Sequence, residues 1–439
     1  MSFEEGDKSP EWRYASYRTV RGALQRGVAA AVARLRDRPG PAQLVYECTS
    51  RDTRWDWQVD DRYTYLARLL RDLRLDPAPL VAQLRACGPY RPWPQPDPTD
   101  DDNQFNLAVG ILETLARAGD TQARAALRAY VRDGIRWIDV LEALTDEWPV
   151  EWWDDLWEVA AKRISAADAA ELLIKGEPWQ RWRGRDVRLD AVLDAADRTR
   201  PSTDRRRIDL ATASDAELVA ALRAAVDTNP RSAGAVLWQI RRRGRPVPEL
   251  LDLIEHLAPA RPAGLLGALR LLGPLGVPAA RRWAADAEHP LFHHAPDLLA
   301  AYGDGQDIPV LLAALDQLTD RWCGYDRLTE GLARILAGSP PAAHADTQVR
   351  LVRQLRWLTI ASPHSYERAS YLRSLLLLDP QRTTDALPIH LLDCEPEVRL
   401  LAAQHAPLTE HAQRWLAELR DDPIEEEKVR RAAADRVNR

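Results

Sequence analysis

The side chains that could hold a metal ion are few and scattered in this sequence. Four cysteines occur in the chain: Cys48, Cys87, Cys323 and Cys394. They form no CxxC pair, and their spacings are too wide for a zinc ribbon. The one histidine cluster is HPLFHH at 289–294, in which His289 and His293 could share a helix face. No carboxylate or cysteine sits at a diagnostic spacing to supply a third ligand, so we expect no metal site.

The motifs that position phosphates or catalytic nucleophiles are also missing. The chain contains no GxxxxGK[ST] or GxGxxG loop, no GxSxG elbow and no HExxH. Carboxylate pairs abound, but solvated helix faces look the same, and no spacing marks one pair as an acid and a base. The sequence therefore predicts no catalytic residue and no cofactor, and it favours a protein that is not an enzyme.

Tryptophan is the unusual component, with 16 residues against only 3 phenylalanines. The densest run, WPVEWWDDLWE at 148–158, has no basic residue, and the run WQRWRGRDVR at 179–188 interleaves tryptophan with arginine. Aromatic anchors and cations of this kind are frequent at binding surfaces. The candidate binding residues are Trp148, Trp152, Asp155, Trp179, Arg181, Trp182 and Arg183.

Two interpretations of these runs stay open. The functional one is an acidic aromatic patch for a basic or amphipathic partner, beside an Arg-Trp segment that stacks on bases or makes cation–π contacts. The structural one is a core helix, because Trp153, Leu156 and Trp157 follow i, i+3, i+4 spacing. In that case the arginines pair with the acidic run. The structural interpretation is favoured for both runs.

The elements that carry these residues are helices. Apolar residues recur with a spacing near 3.6, in segments of about ten to twenty residues separated by Gly, Pro or Asp. Ser214 with Glu217 predicts a capping box, and Ser165 with Asp168 predicts a shorter version of it. Because the connections are short, neighbouring helices should pack antiparallel. We predict an all-α protein without strands.

Two stretches interrupt the helical pattern. Residues 88–102, GPYRPWPQPDPTDDD, contain too many prolines for a helix to pass through. Residues 198–213 are polar and rich in arginine, which predicts a linker or long loop. We therefore divide the chain into irregular helical repeats at 1–197, a linker at 198–213 and regular repeats at 214–439.

Short segments of the chain resemble one another. LARAGD at 115–120 matches LAAYGD at 299–304, and Glu397-Val398-Arg399 is echoed at Lys428-Val429-Arg430. A helix pair, a Gly-Asp turn and a Val-Arg near the start of an Ala-rich helix resemble the short HEAT-like repeats, which are related to armadillo arrays. The stretches 103–145 and 262–439 carry this resemblance best. It implies an α-solenoid of stacked antiparallel helix pairs.

The resemblance implies a binding role, since a solenoid offers an extended surface. The first hypothesis is a non-enzymatic scaffold or regulatory adaptor that holds a protein or peptide partner. The alternative is a DNA-binding protein that resembles alkylated-base DNA glycosylases, with Trp137 and Asp139, Trp152 and Asp155, or Arg181 and Arg183 in the groove. A lyase or cofactor-attachment role would need a tetrapyrrole partner. The net charge of −6 disfavours nucleic acid.

The chain start and the hydropathy predict where the protein resides. MSFEEGDKSP lacks the basic segment and apolar run of a signal peptide, and no stretch approaches about 18 uninterrupted apolar residues. Four scattered cysteines are typical of free thiols in a reducing compartment. We therefore expect a cytoplasmic protein that does not bind a membrane.

Overall fold

The computed structural model describes residues 14–36, 40–51, 62–89, 101–170, 172, 176–199, 212–228, 233–318, 324–340 and 342–437. These residues form 25 α-helices, joined by 3-10 turns and short loops, and no β-strand. The predicted all-α fold class is confirmed. None of the helices in these ranges is long and apolar enough to cross a membrane.

The helices are short, which suits a chain punctuated so often by Gly and Pro. In the first half of the chain they are α1 (Val20–Gln25), α2 (Ala29–Arg36), α3 (Ala42–Thr49), α4 (Arg62–Asp72), α5 (Ala78–Ala86), α6 (Asp101–Arg117), α7 (Thr121–Asp133), α8 (Trp137–Glu147), α9 (Trp157–Arg163), α10 (Trp179–Trp182), α11 (Val187–Thr199) and α12 (Asp215–Thr228). They continue as α13 (Gly234–Arg243), α14 (Leu250–Leu257), α15 (Leu265–Leu271), α16 (Val277–Ala284), α17 (Ala295–Tyr302), α18 (Ile308–Gln317), α19 (Tyr325–Ala337), α20 (Ala345–Ala361), α21 (Arg368–Leu378), α22 (Pro380–Ala386), α23 (Pro396–His405), α24 (Glu410–Asp421) and α25 (Glu427–Val437).

The contacts between residues group the chain into two compact units. Unit 1 contains Met1–Ser202, Pro363–Tyr366 and Asp385–Arg439, and unit 2 contains Thr203–Ser362 and Glu367–Thr384. One division therefore falls beside the linker predicted at 198–213. The last 55 residues, which the sequence places with the second half, belong to unit 1 with the first half.

The two stretches predicted to be loops lie mainly outside the described residues. Of 88–102, the structure describes 88, 89 and the start of α6, which begins at Asp101, slightly inside the predicted loop. Of 198–213, it describes the end of α11 and the two residues before Ser214.

Several helices begin where their side chains predict. At the start of α12 the Ser214 N–H donates to Glu217 Oε2 (2.6 Å), and the Glu217 N–H donates to Ser214 Oγ (3.2 Å). The predicted capping box is confirmed. The Ser165 N–H likewise donates to Asp168 Oδ2 (2.7 Å), but the residues that follow form a 3-10 turn at Ala166–Ala170.

The two Gly-Asp runs found in the sequence occupy equivalent places. Asp120 accepts from the Ala123 N–H at the start of α7, and Asp304 accepts from the Gln306 N–H at the 3-10 turn before α18. In each case the preceding glycine follows the last turn of a helix. A carboxylate at this position satisfies N–H groups that have no partner within the helix.

Three arginines cap helix C-termini with a contact that no pattern in the sequence predicts. Arg163 on α9 donates to Val131 O and Gly134 O at the end of α7. Arg334 on α19 does the same to the end of α17, and Arg436 on α25 to the end of α23. In all three the arginine lies 29 to 34 residues after the carbonyls. The cation satisfies carbonyls left unpaired at a helix C-terminus.

Unit 1 is assembled from both ends of the chain. Arg68 and Arg71 on α4 donate to the two oxygens of Asp422, at 2.8 and 2.7 Å. The Cys394 N–H donates to Gly27 O (3.1 Å). Gly27 has φ +65°, and a Cβ there would lie 2.3 Å from Cys394 Sγ, so only glycine fits this approach. In a strictly linear array each repeat contacts only its neighbours, and these contacts depart from that pattern.

In unit 2, helices two apart along the chain pack side by side. The pairs are α13 with α15, α17 with α19, and α19 with α21. The approach of α17 to α19 is close because Gly331 has no side chain. A Cβ built at Gly331 would lie 2.5 Å from Cα, Cβ and O of Ala300. Consecutive helices also pack, as α16 does with α17 and α20 with α21.

Candidate functional site

The tryptophans of the two candidate runs lie mostly in the core of unit 1. Trp179 and Trp182 are fully buried, and Trp148 and Trp153 are nearly so. Their rings meet edge to face, with centroids 5.9 Å apart for Trp179 and Trp182 and for Trp153 and Trp182. This geometry is the one that aromatic quadrupoles favour. The segment around them is not one helix, since 3-10 turns at Val150–Trp152 and Asp154–Leu156 precede α9.

Two carboxylates near these rings accept hydrogen bonds from indole N–H groups. Trp179 Nε1 donates to Glu142 Oε1 (2.6 Å), and Trp182 Nε1 donates to Asp154 Oδ1 (3.0 Å). A buried indole needs such a partner, since leaving its N–H unsatisfied costs about 1–3 kcal/mol. One residue of the acidic run that follows Trp148, Asp154, therefore accepts from a core indole, while Glu142 belongs to the preceding helix α8.

The charged candidates are at the surface, and each has an internal partner. Asp155 pairs with Arg128 (2.6 Å), whose hydrogen bond lowers the pKa of the Asp155 carboxyl. Arg183 pairs with two aspartates of α11, at 2.9 and 2.8 Å. Arg181 lies 3.3 Å from Glu177.

Trp152 is the one candidate tryptophan that is partly exposed, and Arg124 lies over its ring at 4.6 Å. The structure thus brings the seven candidates into one region of unit 1, with Trp148, Trp179 and Trp182 inside and the other four at the surface. Their role in binding a partner stays a prediction.

Unit 1 also contains a small cleft between α2, α4, α24 and the residues around Asp393. The cavity has a volume of about 50 Å³, which suits one or two water molecules. Its charged lining residues are Arg36, Arg68, Arg71, Arg399, Asp72, Asp393, Glu418 and Asp422. Cations and anions are equal in number, so the cleft has no excess charge with which to attract an ionic ligand.

The charges beside this cleft form a buried network. Arg399 holds Glu425 with two hydrogen bonds, Nε to Oε2 (2.6 Å) and Nη2 to Oε1 (2.8 Å). Burial alone would raise the pKa of Glu425, but the charges of Arg399 and Arg68 outweigh it and hold that pKa below its usual range. The same balance lowers the pKa of Asp422. Such a network fixes the two ends of unit 1 together.

Two neighbouring carboxyls of unit 2 have raised pKa values. Burial, then the charge of Asp326, raises the pKa of Glu367 to about 7, and burial also raises the pKa of Asp326. Tyr371 Oη donates to Glu367 Oε2 and the Gly324 N–H donates to Glu367 Oε1, each at a distance of 2.5 Å. Raised pKa values are frequent at catalytic sites. Glu367 is only 2% exposed, however, so a substrate has no access to its carboxyl.

The thiols and metal-binding side chains form no further site in the described part of the chain. Cys48, Cys87 and Cys394 are buried thiols that form no disulfide, and Cys323 lies outside the described residues. Burial raises the pKa of Cys48 to about 12, which keeps that thiol protonated. No group of three or more His, Cys, Asp or Glu in the described ranges is arranged to hold a metal ion. His289 instead stacks on Trp283, at 5.9 Å.

Large apolar side chains are exposed mainly on the helices of unit 2, a feature that the sequence did not reveal. Those on α-helices of unit 2 are Trp238, Leu266, Tyr302, Val349, Trp357, Ile360 and Leu377, and Val187 at the start of α11 is an exposed residue of unit 1. Val349, Trp357 and Ile360 follow helical spacing along one solvent-facing side of α20. A spacing rule cannot distinguish such a stripe from a core-facing one, which is why it was missed.

Comparisons of the chain with protein-family models, with curated proteins and with solved structures give no match. The assignment of function depends on the residues and their arrangement.

Proposed function

We propose that this protein is a non-enzymatic scaffold that binds a protein or peptide partner on the surface of stacked, HEAT-like helix pairs. The arginine caps support the stacked arrangement. They recur on α7 and α9, on α17 and α19, and on α23 and α25, with nearly the same separation each time. Repeated units joined by the same contact are what a repeat architecture requires.

The packing of unit 2 supports the same arrangement. Helices α17, α19 and α21 contact one another in succession, and Gly331 lets α19 approach α17 closely. When pairs of helices stack along a curve, the helices of the inner layer are the more crowded. We infer that α17, α19 and α21 belong to the inner layer of unit 2.

The observation that carries the binding role is the set of large apolar side chains exposed on unit 2. Trp238 is 50% exposed, Val349 69% and Leu377 58%. Scattered apolar residues are normal on a protein surface, but a half-exposed tryptophan is a strong candidate for a binding anchor. These residues offer anchors that the buried tryptophans of unit 1 do not.

Site-specific photo-crosslinking in the native cells tests this proposal. A photoreactive residue is placed at position 349 on α20, at position 266 on α15, or at the exposed position 162 on α9 as a control. We expect a discrete protein adduct from 349 or 266 and none from 162. Equal labelling from all three positions, or adducts to nucleic acid alone, would contradict the scaffold function.

One observation favours the alternative function, a DNA-binding protein that resembles alkylated-base glycosylases. Trp238 lies beside Arg241 and Arg242 at the end of α13, and aromatic side chains with neighbouring cations bind single-stranded nucleic acid. The crosslinking experiment distinguishes the two functions by the nature of the adduct.

A further inference from the structure

Two helices of unit 2, α13 and α15, present a surface whose charge is entirely positive. Between positions 229 and 248, and again between 256 and 285, the sequence contains arginines and no aspartate or glutamate. The acids of this region lie on the neighbouring helices α12 and α14, which include Asp215, Asp252 and Glu255. Because α12 packs against α14 and α13 against α15, the two layers of helices carry opposite charge here.

The two basic helices touch along their length through glycines. A Cβ built at Gly234 lies 3.3 Å from Ala263 O, and one at Gly264 lies 3.5 Å from Trp238 N. Further along, a Cβ at Gly267 lies 2.7 Å from Arg241 Cδ. From one contact to the next, the residue numbers increase on both helices. Helices α13 and α15 therefore run parallel, and their exposed side chains form one surface.

That surface combines an apolar centre with cations. We name it the basic face and define it as Trp238, Arg241 and Arg242 of α13 with Leu266 and Arg270 of α15. Trp238 is 50% exposed and Leu266 40% exposed. The guanidinium of Arg242 lies over the Trp238 ring at 4.8 Å, which leaves its N–H groups available to an anion.

The cations of the basic face differ in how far they are already neutralised. Arg270 lies 3.5 Å from Asp297, and the nearby Arg243 and Arg245 share Asp215. Among the described residues, no carboxylate oxygen lies within 4 Å of a guanidinium nitrogen of Arg241 or Arg242. These two arginines are therefore the ones that can receive an external carboxylate.

From this geometry we infer that the basic face binds an acidic amphipathic peptide segment, with an apolar side chain against Trp238 and Leu266 and carboxylates on Arg241 and Arg242. The inference rests on the proposed scaffold function and specifies its partner. An apolar centre with a charged rim is the usual anatomy of a peptide site.

The number of unpaired cations favours a peptide over nucleic acid. Proteins that bind nucleic acid through its backbone commonly make about 6–10 phosphate contacts, each releasing a counterion. The basic face has two arginines without an acidic partner among the described residues, and its third, Arg270, already lies 3.5 Å from Asp297. An apolar side chain such as Leu266 also has no specific counterpart on a sugar-phosphate chain. Two carboxylates and one apolar anchor match the face better.

Selection from a random library of displayed 16-residue peptides against the full-length protein tests the inference. We expect the recovered peptides to be enriched in Asp and Glu together with Leu, Phe or Trp. The Trp238→Ala variant and the Arg241→Gln/Arg242→Gln variant should each weaken their binding by at least about 10-fold in fluorescence anisotropy.

Matched controls lie on α20. Trp357 is 41% exposed and Arg353 is also at the surface, so Trp357→Ala and Arg353→Gln make the same chemical changes away from the basic face. These controls should bind the selected peptides like the wild type. Thermal unfolding of every variant checks that the changes leave the fold intact.

Three results would overturn the inference. They are selected peptides that are basic or uncharged, peptides that bind Trp238→Ala as tightly as the wild type, and a 20-nucleotide oligo-dT that binds the basic face more tightly than the selected peptides do. If peptides are lost but a protein still crosslinks at position 349, the scaffold function stands and only the assignment of the basic face fails.

Discussion

At the scale of single residues, tryptophan has two separate uses in this protein. Trp179 and Trp182 are fully buried, and their N–H groups are satisfied by carboxylates of the surrounding segments. Trp238 is half exposed and lies beside arginines. Because the residue type is the same, only the surroundings separate a tryptophan that stabilises the core from one that can bind a partner.

Substitution of the two kinds of tryptophan should separate their roles. We expect Trp182→Ala to lower the free energy of unfolding by about 3–5 kcal/mol, since it removes a large fully buried side chain. Trp238→Ala should change it by less than about 1 kcal/mol. Chemical denaturation followed by circular dichroism measures both. Similar losses for the two variants would contradict the division.

Because the pKa of Glu367 is raised, the stability of the fold should depend on pH. Its pKa is about 7 in the folded protein because burial and Asp326 disfavour the carboxylate, and it is lower in the unfolded chain. The protonated group therefore stabilises the fold fully below the unfolded pKa, and this contribution is lost as pH rises towards about 7. The loss approaches about 1.4 kcal/mol per pH unit within that window.

Glu367→Gln tests this prediction, because the amide cannot titrate and keeps acceptor capacity for the Tyr371 hydroxyl. The free energy of unfolding of the wild type should fall between roughly pH 5 and 7, and we expect that of the variant to stay level. Denaturation midpoints across that range, for the variant and the wild type, give the answer. An unchanged pH profile would show that Glu367 does not hold the proton.

At the scale of elements, the helices follow from local sequence more closely than their contacts do. Ser214 and Glu217 predicted the start of α12, and the Gly-Asp runs predicted two turns that the structure contains. The arginine caps were not predictable, because the carbonyls that Arg334 reaches lie about thirty residues earlier and only the packing of α19 against α17 brings them together.

The candidate site is likewise only partly predictable from the local sequence. Residue type and density drew attention to the run at 148–158, and the stripe spacing correctly favoured burial of Trp153. Spacing assigned that stripe to a single helix, whereas 3-10 turns interrupt the segment before α9. The basic face requires α13 and α15 to lie side by side, which no pattern in the sequence indicates.

The contact between α17 and α19 depends on one glycine. Gly331→Ala would normally favour a helix by up to about 1 kcal/mol. Here its Cβ would lie 2.5 Å from backbone and side-chain atoms of Ala300, so we expect a loss of about 1–3 kcal/mol in unfolding free energy. Gly267→Ala is the control, because its close neighbour is the flexible end of Arg241. A stabilised Gly331→Ala variant would disprove the close approach.

At the scale of the whole molecule, burial and ion pairing shift the pKa values of carboxyls in opposite directions at two places. The ends of unit 1 are joined by buried ion pairs, whose carboxylates at Asp422 and Glu425 have lowered pKa values. Unit 2 contains carboxyls whose pKa values are raised. Acid therefore weakens the ion pairs of unit 1. A carboxyl whose pKa is lowered on folding stabilises the fold at pH values above its unfolded pKa, and this stabilisation is lost as pH falls through its folded pKa.

Breaking the ion pairs between the two ends of unit 1 should destabilise it strongly. Asp422→Asn removes the buried carboxylate that Arg68 and Arg71 share, and we expect a cost of about 3 kcal/mol. Glu418→Gln, at an exposed pair with Arg36, is the control and should cost less than about 1 kcal/mol. Urea denaturation gives both values, and equal costs would contradict a structural role for the network.

We propose above that the protein is a scaffold for a protein partner. Affinity capture of the tagged full-length chain from its native lysate, with and without nuclease and read by mass spectrometry, tests it most directly. We expect a discrete protein that survives nuclease treatment and is lost when Trp238 and Val349 are both changed to alanine. Recovery of nucleic acid, with bound proteins lost on nuclease treatment, would contradict the scaffold function and favour the DNA-binding alternative.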